Sequence, residues 1–457
     1  MRFKIISLGI SLLLLLSACN GAGIGTTAKT SGNSSTGSNL NSGNGDSIGL
    51  GDTPSPIPGG GGLSGGGGDD GGSDSGGGSG TGGGGSGGGS TVRVNVNPGT
   101  SGGVTRTKVE FSGRSAEDGL ATVELSLSNT TSFQVVTQKS GVMLGTLELL
   151  NPSSASLQSL FENEPPFSDG LNLFDNLNAL PYPSRLADEQ LIDGVYTQVL
   201  VFLDNGEAIA TNFDATVVAK SDANLTSGVL RTNIFLLGSE AQKDSTVAIL
   251  NNAIDVWRDV YASRGVELDI EMFDVSSDSG IVPSPSVGSS LIADAINSNG
   301  AQIDALNIFV GEDISEDDST SVVAGGDGTL GVLGVAAGRP GSAIVASTSY
   351  VAISLLMHQG GDGSFSNEEV VVLGETLAHE GGHYLGLMHP VEIVSEDFEF
   401  VEGDRLTDTA TCDSIATCRG SGLVSNNMFP TPVTGVGSQQ DLSAQQGGVI
   451  NLQAIVD

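Results

Sequence analysis

Three of the chain's four histidines lie within residues 379–389, in the segment HEGGHYLGLMH. If this segment begins as a helix, His379 and His383 are one turn apart on the same face, so both imidazoles can bind one zinc ion at about 2.0–2.1 Å. Gly386 tolerates the left-handed conformation that ends a helix, so the chain can turn back and supply His389 as a third nitrogen ligand. The fourth coordination position is then open to water.

Glu380 follows the first of these histidines directly. A zinc ion held by three neutral imidazoles lowers the pKa of a bound water toward about 7 and polarises a carbonyl beside it. Glu380 is placed to take the proton of that water and to pass it to a leaving amine. The glycine pair 381–382 is costly in a helix, at about 1 kcal/mol per residue, so we expect a neighbouring segment to approach closely there.

This pattern resembles the signature of the metzincin zinc metalloproteases, HExxHxxGxxH followed by a turn that carries a methionine. Every fixed position is present, and residues 425–430, SNNMFP, supply a candidate turn. The resemblance implies one catalytic zinc ion, with Met428 as an apolar floor beneath the imidazoles. It also implies an open cleft bordered by an edge strand, for which residues 331–346 are the candidate, and therefore endopeptidase activity on proteins or peptides.

Residues 404–409, DRLTDT, look like the Asp-Thr-Pro element that the pappalysin-like branch of metzincins places after the third histidine. Here Ala410 replaces the proline, so the specificity of that branch is not carried over. Asp408 could orient a ligand imidazole through a hydrogen bond, and a solvated loop carboxylate is an equal alternative.

The first nineteen residues resemble a bacterial lipoprotein signal. Two basic residues precede an apolar run at 5–16, which is shorter than the about 20 residues that a membrane span needs, and Leu-Ser-Ala-Cys ends at Cys19. Cys19 would carry a lipid that anchors the protein to a bilayer, at the outer membrane or the cell surface. The alternative is an ordinary secretory signal, and both predict export.

Residues 20–90 are almost entirely Gly, Ser, Asn, Thr and Asp, and such a composition cannot bury a core. We predict a disordered tether, which for roughly 70 residues has a typical end-to-end distance of about 45–50 Å. Cys412 and Cys418 are then the two cysteines left in an exported protein, and we expect them to form a disulfide, with two free thiols as the alternative.

The charge balance is strongly acidic, because 17 basic residues face 53 acidic ones and the net charge is −36. A surface of this sign repels phosphate backbones, which argues against a nucleic-acid partner. Acidic clusters at 312–318, Asp327 and Asp362 could hold calcium, but none has EF-hand spacing and solvated loops are favoured. His358, outside the signature, is interpreted as a core or surface residue rather than a substrate ligand.

Residues 91–227 predict a β-sandwich-like domain. Alternating or β-branched stretches recur at 121–127, 142–150, 195–203 and 213–219, between clusters of Gly, Asn, Pro and Asp. A spacer or substrate-binding module is favoured for this domain over a propeptide-like cover.

Residues 228–457 begin with a predicted strand at 229–237 and a helix at about 239–264, whose apolar residues repeat at helical spacing. Further strands follow at 266–272 and 306–310, and the metal helix is predicted to begin near Asn367 as its cap. This order resembles the upper part of a metzincin catalytic domain, a twisted sheet with long helices. The fold class expected for the whole chain is therefore α+β.

The sequence as a whole predicts a monomeric, lipid-anchored, extracytoplasmic zinc endopeptidase. The alternative is a non-catalytic surface lipoprotein for adhesion or binding, in which the metal only supports folding.

Overall fold

The computed structural model describes residues 91–457 except 101–102, 160–173, 277–278, 286–288, 318–319, 322–331, 337–339, 360–362, 394–398 and 434. All described residues belong to one compact unit. The predicted signal segment, Cys19 and the tether lie outside the described residues. Within the described part, no helix combines the length and apolar character that crossing a membrane would require.

The part of the chain from Thr91 to Ser221, called the β-region below, is a single hydrogen-bonded sheet. In the described residues its strands follow the order β1-β3-β7-β4-β9-β2, with β5 and β6 also paired to β4 and β8 paired to β7. The strands are β1 (Thr91–Val96), β2 (Thr105–Arg114), β3 (Leu120–Leu127), β4 (Ser132–Leu150), β5 (Ser156–Ser159), β6 (Phe174–Tyr182), β7 (Gly194–Asp204), β8 (Glu207–Ala208) and β9 (Asn212–Ser221).

All four stretches predicted as strands are confirmed, as β3, β4, β7 and β9. The alternation of apolar residues in these strands reflects burial of one face. In β3, Val123 and Leu125 face the core while their neighbours are only partly buried. The structure confirms a β-rich region here but does not confirm the predicted sandwich. Strand β4 pairs with β9 through its first half and with β7 through its second half. It therefore joins all the strands into one hydrogen-bonded sheet, where two sheets were expected.

The part from Gly228 to Asp457, called the metal-site region below, is built on a five-stranded sheet in the order β11-β10-β13-β17-β16. The first four strands are parallel, and β16 is an antiparallel edge strand. The α+β class and the predicted order of strand, long helix and strands are confirmed. The elements are β10 (Gly228–Leu237), α1 (Gly238–Ala241), α2 (Asp244–Ala262), β11 (Val266–Val275), β12 (Ile281–Pro283), α3 (Leu291–Asn299), β13 (Leu306–Gly311), β14 (Asp313–Asp317), β15 (Thr320–Ser321), β16 (Gly334–Ala336), β17 (Val351–Ser354), α4 (Asn367–Tyr384), β18 (Val391–Ile393), β19 (Phe400–Glu402), α5 (Ile415–Ser421) and α6 (Ala444–Leu452).

Helix α4 carries the first two histidines of the signature and packs on α2. Its N-cap is Ser366 rather than the predicted Asn367, and Ser366 forms a capping box with Glu369. The two helices cross closely because Gly374 faces the carbonyl of Ala253, where a Cβ would be only 2.4 Å from the oxygen. At the other end of the contact, the hydroxyl of Tyr261 donates to the carbonyl of Ala378 at 3.0 Å. This packing fixes the face of α4 that the histidines occupy.

Candidate metal centre

The three histidines of the signature converge on one point. Nε2 of His389 lies 3.2 Å from Nε2 of His379 and 3.0 Å from Nε2 of His383. Among the described residues, this is the one group of three or more His, Cys, Asp or Glu side chains close enough to hold a metal ion together. His383 and His389 are buried, and His379 is partly exposed.

The other ring nitrogen of each histidine has an acceptor that fixes its tautomer. Nδ1 of His379 lies 2.7 Å from the carbonyl of Asn427, and Nδ1 of His383 lies 2.8 Å from the carbonyl of Leu387. Because a carbonyl can only accept, each Nδ1 must donate its proton, and the lone pair of each ring is on Nε2.

Nδ1 of His389 lies 3.1 Å from Oε2 of Glu392, a carboxylate that favours the same tautomer. Three Nε2 lone pairs at this separation repel one another unless a cation lies between them. Tetrahedral coordination at 2.0–2.1 Å would separate two ligand nitrogens by about 3.3 Å, close to the observed spacing. The donor set therefore fits a small divalent cation, and imidazole nitrogen suits zinc, copper, iron or nickel.

The turn that brings in His389 is a Schellman motif. Helix α4 ends at Tyr384, and Gly386 has φ +89°, the left-handed conformation expected of it. The amide of Leu387 donates to the carbonyl of Gly382 and that of Gly386 to the carbonyl of His383, both at 2.9 Å. The helix therefore ends within one turn of its second ligand, and the chain reverses toward the third.

Both glycines of the 381–382 pair are in close contact with neighbouring elements. A Cβ on Gly381 would lie 3.0 Å from the hydroxyl oxygen of Tyr261, and a Cβ on Gly382 would lie 2.6 Å from Sδ of Met428. Met428 is fully buried. The close approach expected from the sequence thus occurs on two sides, at α2 and at the methionine turn.

The methionine turn is fixed by side-chain amides that the sequence analysis did not identify. Asn426 exchanges two hydrogen bonds with Gln446 of α6, at 2.9 and 3.2 Å, and its Oδ1 also accepts from the amide of Met428 at 2.9 Å. Asn427 donates through Nδ2 to the carbonyl of Glu375 at 3.1 Å while its own carbonyl accepts from His379. The turn therefore joins α6 to the metal helix.

Glu380, the candidate general base, is buried at 6% exposure. Gly334 of the edge strand β16 lies against its side chain and against Thr376. Of the edge strand predicted over 331–346, the residues that the structure describes form a strand at β16, Gly334–Ala336. Strand β16 lies beside α4 and borders Glu380.

Asp408 is not placed beside a ligand imidazole, which corrects the suggested supporting role. Its two carboxylate oxygens accept from the hydroxyl of Ser443 and the amide of Gln445, both at 2.8 Å, at the N-terminus of α6. A helix N-terminus attracts a carboxylate because its first amides have no partner within the helix. The carboxylate beside His389 is Glu392 instead.

Cys412 and Cys418 form the expected disulfide, with their Cα atoms 5.1 Å apart. Cys418 is buried in a small apolar cluster with Phe400 and Phe429, whose ring centroids are 5.6 Å apart. Phe429 follows Met428 directly, so the disulfide supports the segment that leads into the methionine turn.

His358 is a core residue, as interpreted from the sequence. Its Nδ1 lies 2.6 Å from the carbonyl of Ser354 and its Nε2 lies 3.0 Å from the hydroxyl of Thr376 on α4. Burial lowers the pKa of His358 to about 4, so the ring is neutral at neutral pH. Of the residues considered for calcium, Asp327, Asp362 and Asp318 lie outside the described residues, and Asp313 accepts from the amide of Ile314 at 2.9 Å.

No protein-family model matches the chain, and no curated protein matches it. Among solved structures, metalloproteinase-II from Bacteroides fragilis is 12% identical over 50% of this chain and 60% of that chain, with a TM-score of 0.23. The pre-peptidase C-terminal domain of a Bacillus anthracis collagenase is 13% identical over 28% of this chain and 94% of that chain, with a TM-score of 0.15. PliG, a periplasmic inhibitor of g-type lysozyme from Aeromonas hydrophila, is 12% identical over 29% of this chain and 99% of that chain, with a TM-score of 0.15. Similarities this weak establish neither a shared fold nor a shared activity.

Proposed function

We propose that the chain is a zinc endopeptidase of the metzincin type. The observation that carries the proposal is the convergence of three Nε2 lone pairs, from His379, His383 and His389, each with its Nδ1 proton directed to an acceptor. The signature and the methionine turn favour zinc among the metals that imidazoles bind. The pappalysin-like branch is supported by residues 404–409, with Ala410 as the departure from its pattern.

Zinc held by these ligands would supply a Lewis acid that activates water and polarises the scissile carbonyl. Glu380, next in sequence to the first ligand, accepts the proton of the attacking water and later delivers it to the leaving amine nitrogen. Burial of Glu380 keeps bulk water from competing for this proton transfer. The unpaired edge of β16, in the described part of the sheet, offers backbone groups to an extended peptide.

The test uses the soluble chain that begins at Thr91, with casein and a peptide library as substrates. Glu380→Gln should lower kcat by about 10²–10⁴-fold with the zinc content unchanged, because the base is lost and the ligands are kept. Glu368→Gln is the matched control, since Glu368 is exposed in the first turn of the same helix. Cleavage that survives Glu380→Gln, or that is absent from fully zinc-loaded wild type, would refute the peptidase and leave the metal-supported binding protein.

We also propose export and lipid anchoring through Cys19, on the sequence pattern of residues 1–19. The expected location is the cell envelope, with the described part of the chain held away from the bilayer by residues 20–90. Fatty-acid labelling of the full-length chain should give a labelled, membrane-associated protein, and Cys19→Ala should abolish the label. A label that survives this substitution would contradict the anchor.

A further inference from the structure

Several side chains of the β-region bond the metal-site region, among them Arg106, Lys108 and Gln138. Two further contacts lead toward the metal centre and are made by Gln134 of β4 and Lys220 of β9. Both side chains are buried, at 2% and 0% exposure. Polar groups this deep require partners, so the partners show what these two residues hold in place.

Gln134 uses both ends of its amide on one loop of the metal-site region. Its Nε2 donates to the carbonyl of Gly341 at 2.9 Å, and its Oε1 accepts from the amide of Ala343 at 2.6 Å. The two bonds fix the backbone of residues 341–343 as a neighbouring strand would.

The same loop is bonded to Tyr384, the residue that follows His383. The amide of Gly341 donates to the carbonyl of Tyr384 at 2.8 Å, and the hydroxyl of Tyr384 donates to the carbonyl of Ser342 at 2.6 Å. Ser349 donates to that hydroxyl at 3.2 Å and accepts from the amide of Ser342 at 2.7 Å. The path from Gln134 to the end of the metal helix is thus a chain of satisfied hydrogen bonds.

Lys220 contacts α6. Its Nζ donates to the carbonyl of Asn451 at 2.9 Å and forms an ion pair with Asp222 at 3.0 Å. Helix α6 also carries Gln446, which is paired with Asn426 of the methionine turn. Separation of α6 from β9 would leave the ammonium paired with Asp222 but without the carbonyl of Asn451, and a buried donor that loses its acceptor is costly.

The apolar cluster around α2 and α4 extends across the same boundary to β9. Val217 of β9 belongs to the cluster inside the β-region, whereas the next residue, Val218, belongs to the cluster that contains α2 and α4. Successive residues of a strand point to opposite faces, so β9 is covered on one face by each cluster. A spacer or a removable cover would present a polar, wet surface here rather than a shared core.

We propose that the β-region is a permanent positioning support for the metal centre, acting through Gln134 on the metal helix and through Lys220 on the methionine turn. This replaces the spacer, the separate binding module and the propeptide-like cover as its role. The part of the test that measures catalysis depends on the proposed peptidase function. The parts that measure zinc affinity and association of the two regions do not.

The first test compares Gln134→Leu with Gln198→Leu in the chain that begins at Thr91. Gln198 is the matched control, because it is fully buried in β7 and its amide bonds only Thr146 of the same region at 2.7 Å. Gln134→Leu should weaken zinc binding about tenfold or more by chelator competition and lower kcat/KM by a similar factor, as for groups that orient a ligand. Gln198→Leu should lower the melting temperature with zinc affinity unchanged. Equal zinc affinities in the two variants would overturn the proposal.

The second test needs no substitution at the interface. A specific protease site is inserted after Asn224, in the exposed connection between β9 and β10, and the folded protein is cut there. The two fragments should elute together on gel filtration, retain zinc and separate only in denaturant. Fragments that separate under native conditions, with the metal-site fragment still binding zinc at the original affinity, would overturn the proposal even if no peptidase activity is ever found.

Discussion

Gly334 of β16 lies directly against Glu380 of α4: a Cβ built on the glycine would be 2.8 Å from Cγ of the glutamate. The same Cβ would be 2.9 Å from Cδ1 of Ile353, in the neighbouring strand β17. The position of the candidate base is therefore set by the absence of a side chain on the edge strand. The glycine is needed for this close approach rather than for its backbone conformation.

Gly334→Ala should displace the carboxylate of Glu380 and lower kcat by tenfold or more, because misplacement by about 1 Å can cost about 10²-fold. The zinc content should be unchanged, since the atoms nearest to the added Cβ belong to Glu380, Ile353 and Thr376 and not to a ligand histidine. Steady-state kinetics and metal analysis measure the two effects. Gly437→Ala is the control, because nothing lies within 4 Å of the Cβ it would add. An unchanged kcat in Gly334→Ala would contradict this role.

Glu392→Ala should weaken zinc binding by about 10–100-fold, because His389 loses the carboxylate that orients its ring. Glu392→Gln should have a smaller effect, since the amide oxygen can still accept from Nδ1. Chelator competition at fixed pH measures both dissociation constants. If the alanine variant bound zinc as tightly as wild type, Glu392 would have no part in holding the ligand.

Gly374→Ala should destabilise the fold although alanine favours helices. The helix propensity gains about 1 kcal/mol, but the added Cβ would lie 2.4 Å from the backbone oxygen of Ala253, and overpacking of this kind costs about 1–3 kcal/mol. The backbone of α2 cannot rotate away as a side chain could, so we expect an overpacking cost of about 2–3 kcal/mol and a net loss of about 1–2 kcal/mol. Gly420→Ala in α5, with nothing within 4 Å, should be neutral or slightly stabilising. Urea unfolding compares the two, and equal stabilities would contradict the close crossing.

The buried His358 should make the fold sensitive to acid. Burial lowers its pKa to about 4 in the folded chain, whereas an unfolded histidine titrates near 6.5. The unfolded state therefore binds the proton first, so stability present above about pH 6.5 is lost as the pH falls toward 4, by about 3 kcal/mol in all. The hydrogen bond to the carbonyl of Ser354 and the carboxylate of Glu369 act in the opposite direction, and the pKa of about 4 already includes them.

The measurement is urea unfolding from pH 4 to 7.5 with a chelator present, in wild type and in His358→Gln. The metal ligands then titrate equally in both proteins, so the difference reports His358. The variant should have a flatter dependence of unfolding free energy on pH below 6.5. Parallel curves for the two proteins would contradict a neutral, buried His358.

Local patterns predicted much of this structure. Alternation of apolar residues located β3 and β11, helical spacing located α2, and the spacing of three histidines located the metal centre. The pair of glycines at 381–382 indicated close packing before any partner was known. In each case the signal lies within a short stretch of sequence, because periodicity and ligand spacing are local properties.

The contacts that support the site could not be predicted in this way. Asp408 accepts from Ser443 and Gln445, and Asn426 pairs with Gln446 across a loop, so these partners follow only from the path of the chain. Glu392 was missed because it bonds His389 across a turn that has no helical periodicity. The single sheet of the β-region depends on β4 changing partners along its length, and no strand pattern encodes partner choice.

The most direct test of the metal centre is X-ray absorption at the zinc edge on the purified, zinc-loaded chain. We predict one zinc per chain, with three nitrogen ligands at about 2.0–2.1 Å and one oxygen ligand, and loss of this coordination in His383→Ala. A protein that binds no zinc under these conditions, or a spectrum that is unchanged when His383 is replaced, would contradict the account.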